Sequence, residues 1–224
     1  MKVVVCVEAP LGQATRGALA LARALPAAEV IALHVGTTSM RPADRPDTHR
    51  LVEVTTPELH AALPACARAE VLAAAVLRIA PALVLGGLRS GRGGRGFVPA
   101  CLARVLGWPF VSQVGAVAPR IPSAPDGHTE RAVVWAVRVE AAPEAIEVAV
   151  TGPVVLSCVP QGLPVPRERR GPLAHEQLSL KDLGVAAEAL RRASDDEVAT
   201  TARRARPRSA ANAAAFLRAL TREP

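Results

Sequence analysis

Short apolar runs alternate with amphipathic stretches along the first half of the chain. The apolar runs are continuous and rich in valine and leucine, which is the pattern of strands buried on both faces of a sheet. These predicted strands span residues 2–7, 29–35, 51–54, 82–85 and 110–114. Apolar residues at helical spacing predict helices over residues 12–24, 68–79 and 98–106. Because strands and helices alternate, we predict an α/β fold, a parallel sheet covered by helices on both faces.

The pattern changes beyond residue 130. Residues 131–140 and 145–150 alternate between apolar and polar positions around a turn signal, which predicts an added antiparallel hairpin. A further buried-type strand follows over residues 153–159, and then proline and charge dominate, as is typical of an extended C-terminal arm. An amphipathic helix is predicted over residues 210–220.

These observations predict two units. The first is an α/β domain over residues 1–160, and the second is an arm with a C-terminal helix over residues 161–224. We expect the second unit to pack on a partner subunit, although the pattern alone fits equally well with a helix that folds back onto its own sheet.

Composition and charge change this picture little. Half of the 224 residues are hydrophobic, but only 2 % are aromatic and tyrosine is absent, so the core must consist of alanine, valine and leucine. The formal charge is +7, and the positive side chains are arginines except for Lys2 and Lys181. We attribute this bias to the composition of a GC-rich genome and expect no nucleic-acid partner.

The cysteines and the length of the apolar runs indicate the compartment. Cys6, Cys66, Cys101 and Cys158 lie in apolar runs without CxxC motifs or Cys/His pairing, so we expect small buried hydrophobic side chains. No apolar run approaches the roughly 20 residues of a membrane span, and the run at residues 2–7 is too short for a signal peptide. We expect a cytoplasmic protein without a membrane span.

A loop rich in glycine and arginine, SGRGGRG, follows the fourth predicted strand and leads into a helix. From residue 71 to residue 125 there is no acidic residue, while six arginines occur. Backbone N–H groups of such a loop can converge on an anion, and both the helix N-terminus and the arginines favour phosphate. The loop has no Walker sequence, and GxGxxG, traced through Gly91, Gly93 and Gly96, is a weak match. We predict an anion or nucleotide site; a disordered polar loop and a single-stranded nucleic-acid contact are the alternatives.

Ligands of open parallel sheets bind where strands end and loops enter helices. Three such loops are predicted, at residues 8–13, 34–38 and 86–96. We find no catalytic or metal-binding constellation: His34 ends a strand, where a hydrogen-bonding role is the simpler interpretation, and Ser157 fits a core position. Any chemistry should therefore come from a cofactor.

Several stretches, in order, resemble the beta subunit of electron transfer flavoproteins. KVVVCVEAP is similar to the first strand and loop of that family, and AAEVIALHVG is similar to its second strand. APALVLGGLRSG followed by LARVLGWPFVSQV resembles its most characteristic stretch. EAI, PVVLSC and RRGPL resemble its hairpin return, its signature strand and its arm. The motifs are weak one by one, and the resemblance rests on their shared order and spacing.

The resemblance implies an adenine-nucleotide-binding α/β fold and a heterodimer with a larger alpha-type subunit. It also implies FAD held mainly by the alpha subunit, a dehydrogenase as the source of electrons, and AMP as a structural nucleotide of the beta subunit. The chain would then be an electron-transfer protein rather than an enzyme with its own substrate chemistry.

Matching positions imply which residues contact the cofactors and partners. Those that face the nucleotide are Cys6, Val7, Glu8, Ala9, His34, Val35, Gly36, Gly86, Gly87, Ser90, Gly91, Arg92, Gly93, Gly94, Arg95, Gly96, Phe97 and Val98. Arg169 and Leu173 are implied to dock the dehydrogenase. The sequence SGRGGRGFV stands where the family usually carries acidic and amide residues, and the segment after the first strand is shorter than in the family.

Two other functions stay open. One is a stand-alone adenine-nucleotide sensor resembling universal stress proteins, which also place a glycine loop between a strand and a helix. The other is a structural subunit whose nucleotide site has decayed, which would fit the departures from the family pattern. Extraction of bound ligand and co-purification with a larger flavin-binding chain would distinguish the three.

Overall fold

The computed structural model describes residues 1–55, 65–87, 97–120, 133–140, 144–159 and 174–190. These residues form one sheet with helices packed on both faces, so the predicted α/β fold is confirmed. The strands are β1 (Lys2–Val7), β2 (Glu29–Gly36), β3 (Arg50–Thr55), β4 (Leu83–Gly87), β5 (Phe110–Arg120), β6 (Val134–Glu140), β7 (Ala145–Thr151), β8 (Val154–Cys158) and β9 (Ala174–Leu178). The α-helices are α1 (Gln13–Ala24), α2 (Ala65–Ile79) and α3 (Val98–Leu106), and a short 3₁₀ helix spans Pro42–Asp44.

The order of the strands determines where the loops gather. The described strands are arranged β7-β6-β5-β8-β4-β1-β2-β3-β9. In this order, each pair of neighbours from β5 to β9 is parallel, whereas β5 pairs antiparallel with β6 and β6 pairs antiparallel with β7. Strands β6 and β7 form the predicted hairpin. The chain runs from β1 to β2 and β3 on one side and then crosses to β4 on the other side of β1. A crevice therefore opens between the carboxyl ends of β1 and β4.

Successive residues of the central strands fill the cores on opposite faces of the sheet. Val4 packs with α2 and α3, whereas Val3 and Val5 pack with α1, and all three side chains are fully buried. Full burial of an aliphatic side chain contributes about 1.5–3 kcal/mol. Many of the buried helix residues are alanines, which allow the helices to lie close to the sheet.

Strand β5 is longer than the sequence predicted because it changes partner. It pairs in parallel with β8 from Phe110 and, beyond Val114, antiparallel with β6. Gln113, with φ of +58°, lies at the shift in register. Past this point β5 leaves the part of the sheet that is buried on both faces, and its residues alternate between more and less exposed positions. Trp135 of β6 is fully buried and donates its indole N–H to the carbonyl of Gly152 at 3.1 Å, which anchors the hairpin.

The sequence assigned residues 174–190 to the arm and did not predict β9. In the structure β9 pairs in parallel with β3, and Leu178, Leu180 and Leu190 are buried in the core on the side of α2. Strand β9, AHEQL, escaped the sequence analysis because three of its five residues are polar. The division at residue 160 and the packing of the second unit on a partner stay predictions, and the predicted helix over residues 210–220 lies outside the described residues.

Polar side-chain contacts hold β9 on both faces of the sheet. Glu53 of β3 is fully buried; its Oε1 accepts the N–H of Met40 at 2.6 Å, and its Oε2 lies 2.6 Å from Nε2 of His175. On the opposite face Glu176 pairs with Arg50, and Arg78 of α2 lies 3.9 Å from it. Because a buried carboxylate is costly without partners, these contacts fix β9 at the edge of the sheet.

The expectation that all four cysteines are buried is only partly right. Cys158 is fully buried and both Cys6 and Cys101 are half-buried, but Cys66 is exposed, so the prediction is wrong for Cys66. A start of α2 at Ala65, earlier than predicted, brings Cys66 into the first turn of that helix.

Among the described helices, none combines the length and the apolar character needed to cross a bilayer.

The carboxylate of Glu53 should stabilise the attachment of β9. We expect Glu53→Ala to lower the free energy of unfolding by about 2–4 kcal/mol, because the buried N–H of Met40 loses its acceptor and a core position is emptied. Glu53→Gln keeps the side-chain size and an acceptor oxygen, and should cost about 1 kcal/mol. Urea unfolding followed by circular dichroism measures both, and equal losses in the two variants would contradict this role.

Candidate functional site

The crevice between β1 and β4 brings together two of the three predicted ligand loops. Val3–Val5 of β1 pair with Leu83–Leu85 of β4, so that the segment after β1 and the end of β4 lie side by side at the carboxyl edge. The third loop, at residues 34–38, follows the neighbouring strand β2, where Val7 is in register with His34. The three predicted strand ends therefore line one edge of the sheet, which is where open α/β sheets bind ligands.

Gly86 and Gly87 end β4 where helices approach it closely from both faces. A Cβ atom on Gly86 would lie 2.9 Å from Cγ of Pro99, in the first turn of α3. A Cβ atom on Gly87 would lie 3.0 Å from Cβ of Ala14 and 3.2 Å from the backbone nitrogen of Thr15, in the first turn of α1. A side chain at Gly86 would force Pro99 to shift, and one at Gly87 would require Ala14 and the backbone beside it to move by a few tenths of an ångström, so glycine is favoured at both positions.

Two helix N-termini consequently meet at the end of β4. Gly12 caps α1 and Phe97 caps α3, and neither helix has a side-chain hydrogen bond at its cap or an acidic residue in its first turn. The first N–H groups of a helix lack intrahelical partners and carry a partial positive charge. This point of the structure therefore favours an anion, which can accept hydrogen bonds from the N–H groups and is attracted by the positive ends of the helix dipoles.

His34 is used to join neighbouring segments of the protein. Its side chain is buried, with Nδ1 at 3.2 Å from the carbonyl oxygen of Val7 and Nε2 at 3.2 Å from that of Thr38. Gly36 lies so close that an added Cβ would be 2.8 Å from Nε2. Since both ring nitrogens face protein carbonyls, the imidazole positions the ends of β1 and β2, and a ligand here would meet the backbone at Val35 and Gly36 instead.

Cys6 contributes an apolar wall. Burial, together with the nearby carboxylate of Glu8, raises the pKa of its thiol to about 12. The side chain therefore stays protonated and is not a nucleophile. Glu8 and Ala9 follow β1 directly, so the one acidic side chain among the predicted site residues lies at this strand end.

Ser157 belongs to the candidate site although the sequence assigned it to the core. It is in register with Gly86 and has its side chain on the face of the sheet that packs against α3. It is 1 % exposed, and its hydroxyl is the one buried side-chain polar atom in the described part of the chain that has no hydrogen-bond partner. A buried hydroxyl without a partner is costly, so a ligand or a water molecule is expected beside it. The signal in the sequence was a lone serine in the apolar run PVVLSCV.

The remaining predicted site residues divide between described and undescribed parts of the chain. Phe97 is exposed at the start of α3 and Val98 packs partly against the core. Residues 90–96 of the glycine loop, and Arg169 and Leu173, lie outside the described residues. In the described segments, no three histidine, cysteine, aspartate or glutamate side chains are grouped as a metal site requires.

A separate open cleft of about 520 Å³ lies at the carboxyl end of β3. It is lined mainly by apolar side chains and backbone of residues 179–187, together with Thr55. Hydrogen bonds from the hydroxyl and the backbone N–H of Ser179 hold the pKa of Asp182 below its usual value and fix the turn beneath the cleft. The cleft lies two strands away from the crevice and includes none of the predicted site residues.

A protein-family model matches most of the chain. The family model described as the electron transfer flavoprotein domain matches residues 3–188, from β1 to the segment after β9. That description does not specify a subunit. The curated proteins give no match.

The contact between His34 and Gly36 can be tested by a double-mutant cycle. We expect Gly36→Ala to lower the free energy of unfolding by about 1–2 kcal/mol, because the new methyl group displaces the imidazole from the carbonyl of Thr38. In a His34→Ala background the same change should cost much less, since the collision is gone. Thermal and urea unfolding of the four proteins give the coupling, and a value below about 0.5 kcal/mol would contradict the contact.

Proposed function

The chain belongs to the electron transfer flavoprotein domain family, and we propose that it is the beta-type subunit of an electron transfer flavoprotein. In this role it forms a heterodimer with an alpha-type subunit and passes electrons from a dehydrogenase through FAD held with that subunit. It performs no substrate chemistry of its own and acts in the cytoplasm. The resemblance of the stretch from β4 to β5, with its Gly107-Trp108-Pro109 turn, to the beta subunit supports this assignment over the alpha subunit.

The distribution of aromatic side chains supports a flavin that is shared with a partner. An isoalloxazine ring is usually packed against aromatic or other flat side chains. Trp135 is fully buried in the hairpin with its indole N–H already bonded, and Trp108 packs against the core. The chain has no tyrosine, and Phe97 and Phe110 are its exposed aromatic side chains among the described residues. The partner would therefore supply most of the flavin-binding surface.

The observation that carries the nucleotide part of the proposal is the convergence of two helix N-termini on Gly86 and Gly87. We assign the AMP phosphate to this point, where N–H groups and helix dipoles favour an anion. The ends of β1 and β2, at residues 6–9 and 34–36, would border the rest of the nucleotide, with Ser157 as an added donor or acceptor. The arginines of residues 88–96 would add charge, and Arg169 and Leu173 would dock the dehydrogenase.

Assembly and flavin content test the main proposal. The full chain, co-expressed with an alpha-type electron transfer flavoprotein subunit, should purify as a one-to-one complex with about one FAD for each heterodimer. The chain expressed alone should bind no FAD tightly, because it offers few stacking surfaces. Size-exclusion chromatography with absorbance near the flavin maximum measures both. A chain that remains separate and binds AMP or ATP by itself would favour the nucleotide-sensor alternative.

Ser157→Ala tests the nucleotide site with two effects of opposite sign. The free energy of unfolding without nucleotide should stay the same or rise, because the variant removes an unsatisfied buried hydroxyl. The affinity of the heterodimer for AMP should fall by about 0.5–1.5 kcal/mol, because the ligand loses a hydrogen bond. Isothermal titration with AMP and thermal unfolding measure the two effects.

Gly152→Ala is the control for that test. Gly152 has φ of +83° with open space around it and lies in the turn before β8, away from the crevice. The variant should cost about 1–2 kcal/mol of stability through left-handed strain and leave AMP affinity unchanged. If the wild-type heterodimer shows no heat with AMP, the site is not a nucleotide site and the chain has a structural role there.

A further inference from the structure

Two cysteines from different helices lie next to each other on the face of the sheet that carries α2 and α3. Cys66 is in the first turn of α2 and Cys101 is in α3, and their Sγ atoms are 3.2 Å apart. The two residues are 35 positions apart in the sequence, so the packing of the two helices alone brings them together. Neither residue belongs to the candidate nucleotide site.

The geometry is close to that of a disulfide. The S–S bond is about 2.05 Å long, so the sulfurs must approach by roughly 1.1 Å from their separation of 3.2 Å. Rotation about the Cα–Cβ bonds can supply a movement of this size between helices that already pack against each other.

The other two cysteines, Cys6 and Cys158, differ from this pair in the acidity of their thiols. Burial raises the pKa of Cys158, and burial together with Glu8 raises the pKa of Cys6, in each case to about 12. Thiols of this kind do not form the thiolate that reacts with disulfides. Cys66 is exposed and Cys101 is half-buried, so a reagent in solution meets Cys66 first.

We propose that Cys66 and Cys101 form a reversible intramolecular disulfide, with a low-molecular-weight disulfide of the glutathione type as oxidant. The Cys66 thiolate attacks one sulfur of the oxidant, forms a mixed disulfide and releases one thiol. The Cys101 thiolate then attacks the Cys66 sulfur, forms the Cys66–Cys101 bond and releases the second thiol. The two protein thiols lose two electrons and two protons, and the oxidant gains both to become two thiols.

The bond would link the beginning of α2 to α3. The chain between the two cysteines contains the rest of α2 and all of β4. The bridge would therefore close a covalent loop that includes β4, the central strand that ends at Gly86 and Gly87. Closing such a loop restricts the unfolded chain, and oxidation should therefore raise the midpoint of thermal unfolding. Dithiothreitol should return the midpoint to its original value.

Oxidation of the full chain in glutathione buffers tests the proposal. The reduced chain is equilibrated at decreasing ratios of reduced to oxidised glutathione, trapped with N-ethylmaleimide and mapped by mass spectrometry. We expect a monomer that contains a Cys66–Cys101 linked peptide, while Cys6 and Cys158 react with maleimide only after unfolding. Absence of this linked peptide in excess oxidised glutathione, or a dimer joined through Cys66 as the main product, would overturn the proposal.

Single variants distinguish the role of Cys66, which attacks the oxidant, from that of Cys101, which attacks the resulting mixed disulfide. In Cys101→Ser the glutathione adduct at Cys66 should accumulate on the order of tenfold above wild type, because the neighbouring thiol that displaces glutathione is gone. In Cys66→Ser little adduct should form at Cys101. Cys158→Ala is the matched control and should keep the Cys66–Cys101 bond. Circular dichroism checks each fold, and Cys101→Ala replaces Cys101→Ser if the serine variant does not fold. If the wild-type chain holds as much glutathione adduct at Cys66 as the Cys101 variant does, Cys101 does not displace glutathione from Cys66.

Discussion

Burial of β1 and β4 on both faces is the constraint on which the rest of the structure depends. Their backbone N–H and C=O groups have no access to water and must be satisfied by parallel neighbours on each side. Their side chains, such as Val3, Val4 and Val5, leave no polar position in the middle of these two strands, so each face needs an apolar helix to cover it. In this part of the sheet polar chemistry is thereby restricted to the strand ends, and the reversal of strand order at β1 brings three of those ends to one edge.

The same packing accounts for the character of the candidate site. Helices that cover both faces begin near the end of β4, and the space left there is tight for any side chain at Gly86 and Gly87. The favourable field for an anion therefore comes from the placement of α1 and α3 rather than from a set of dedicated charged side chains.

The sequence predicted the parts of the fold in which one physical rule dominates. Continuous apolar runs identified the central strands because two-sided burial excludes polar side chains from them. Strand β9 was missed because it lies at the sheet edge and depends on partners that are distant in sequence, namely Glu53 for His175 and Arg50 for Glu176. The extension of β5 was missed because its pattern changes where it exchanges β8 for β6. In the candidate site, the strand ends could be predicted from the sequence. The Ser157 hydroxyl without a hydrogen-bond partner, and the packing of α1 and α3 on opposite faces of the end of β4, are apparent only from the structure.

Helix α3 connects the proposed nucleotide site with the proposed disulfide. Pro99 in its first turn contacts the end of β4, and Cys101, two residues later, faces α2. A helix of nine residues is too short to absorb a change at one of these contacts without transmitting it to the other. A bond between Cys66 and Cys101 would hold α3 against α2. Oxidation should therefore act on the nucleotide site through the position of α3, and not through the chemistry of the residues that line it.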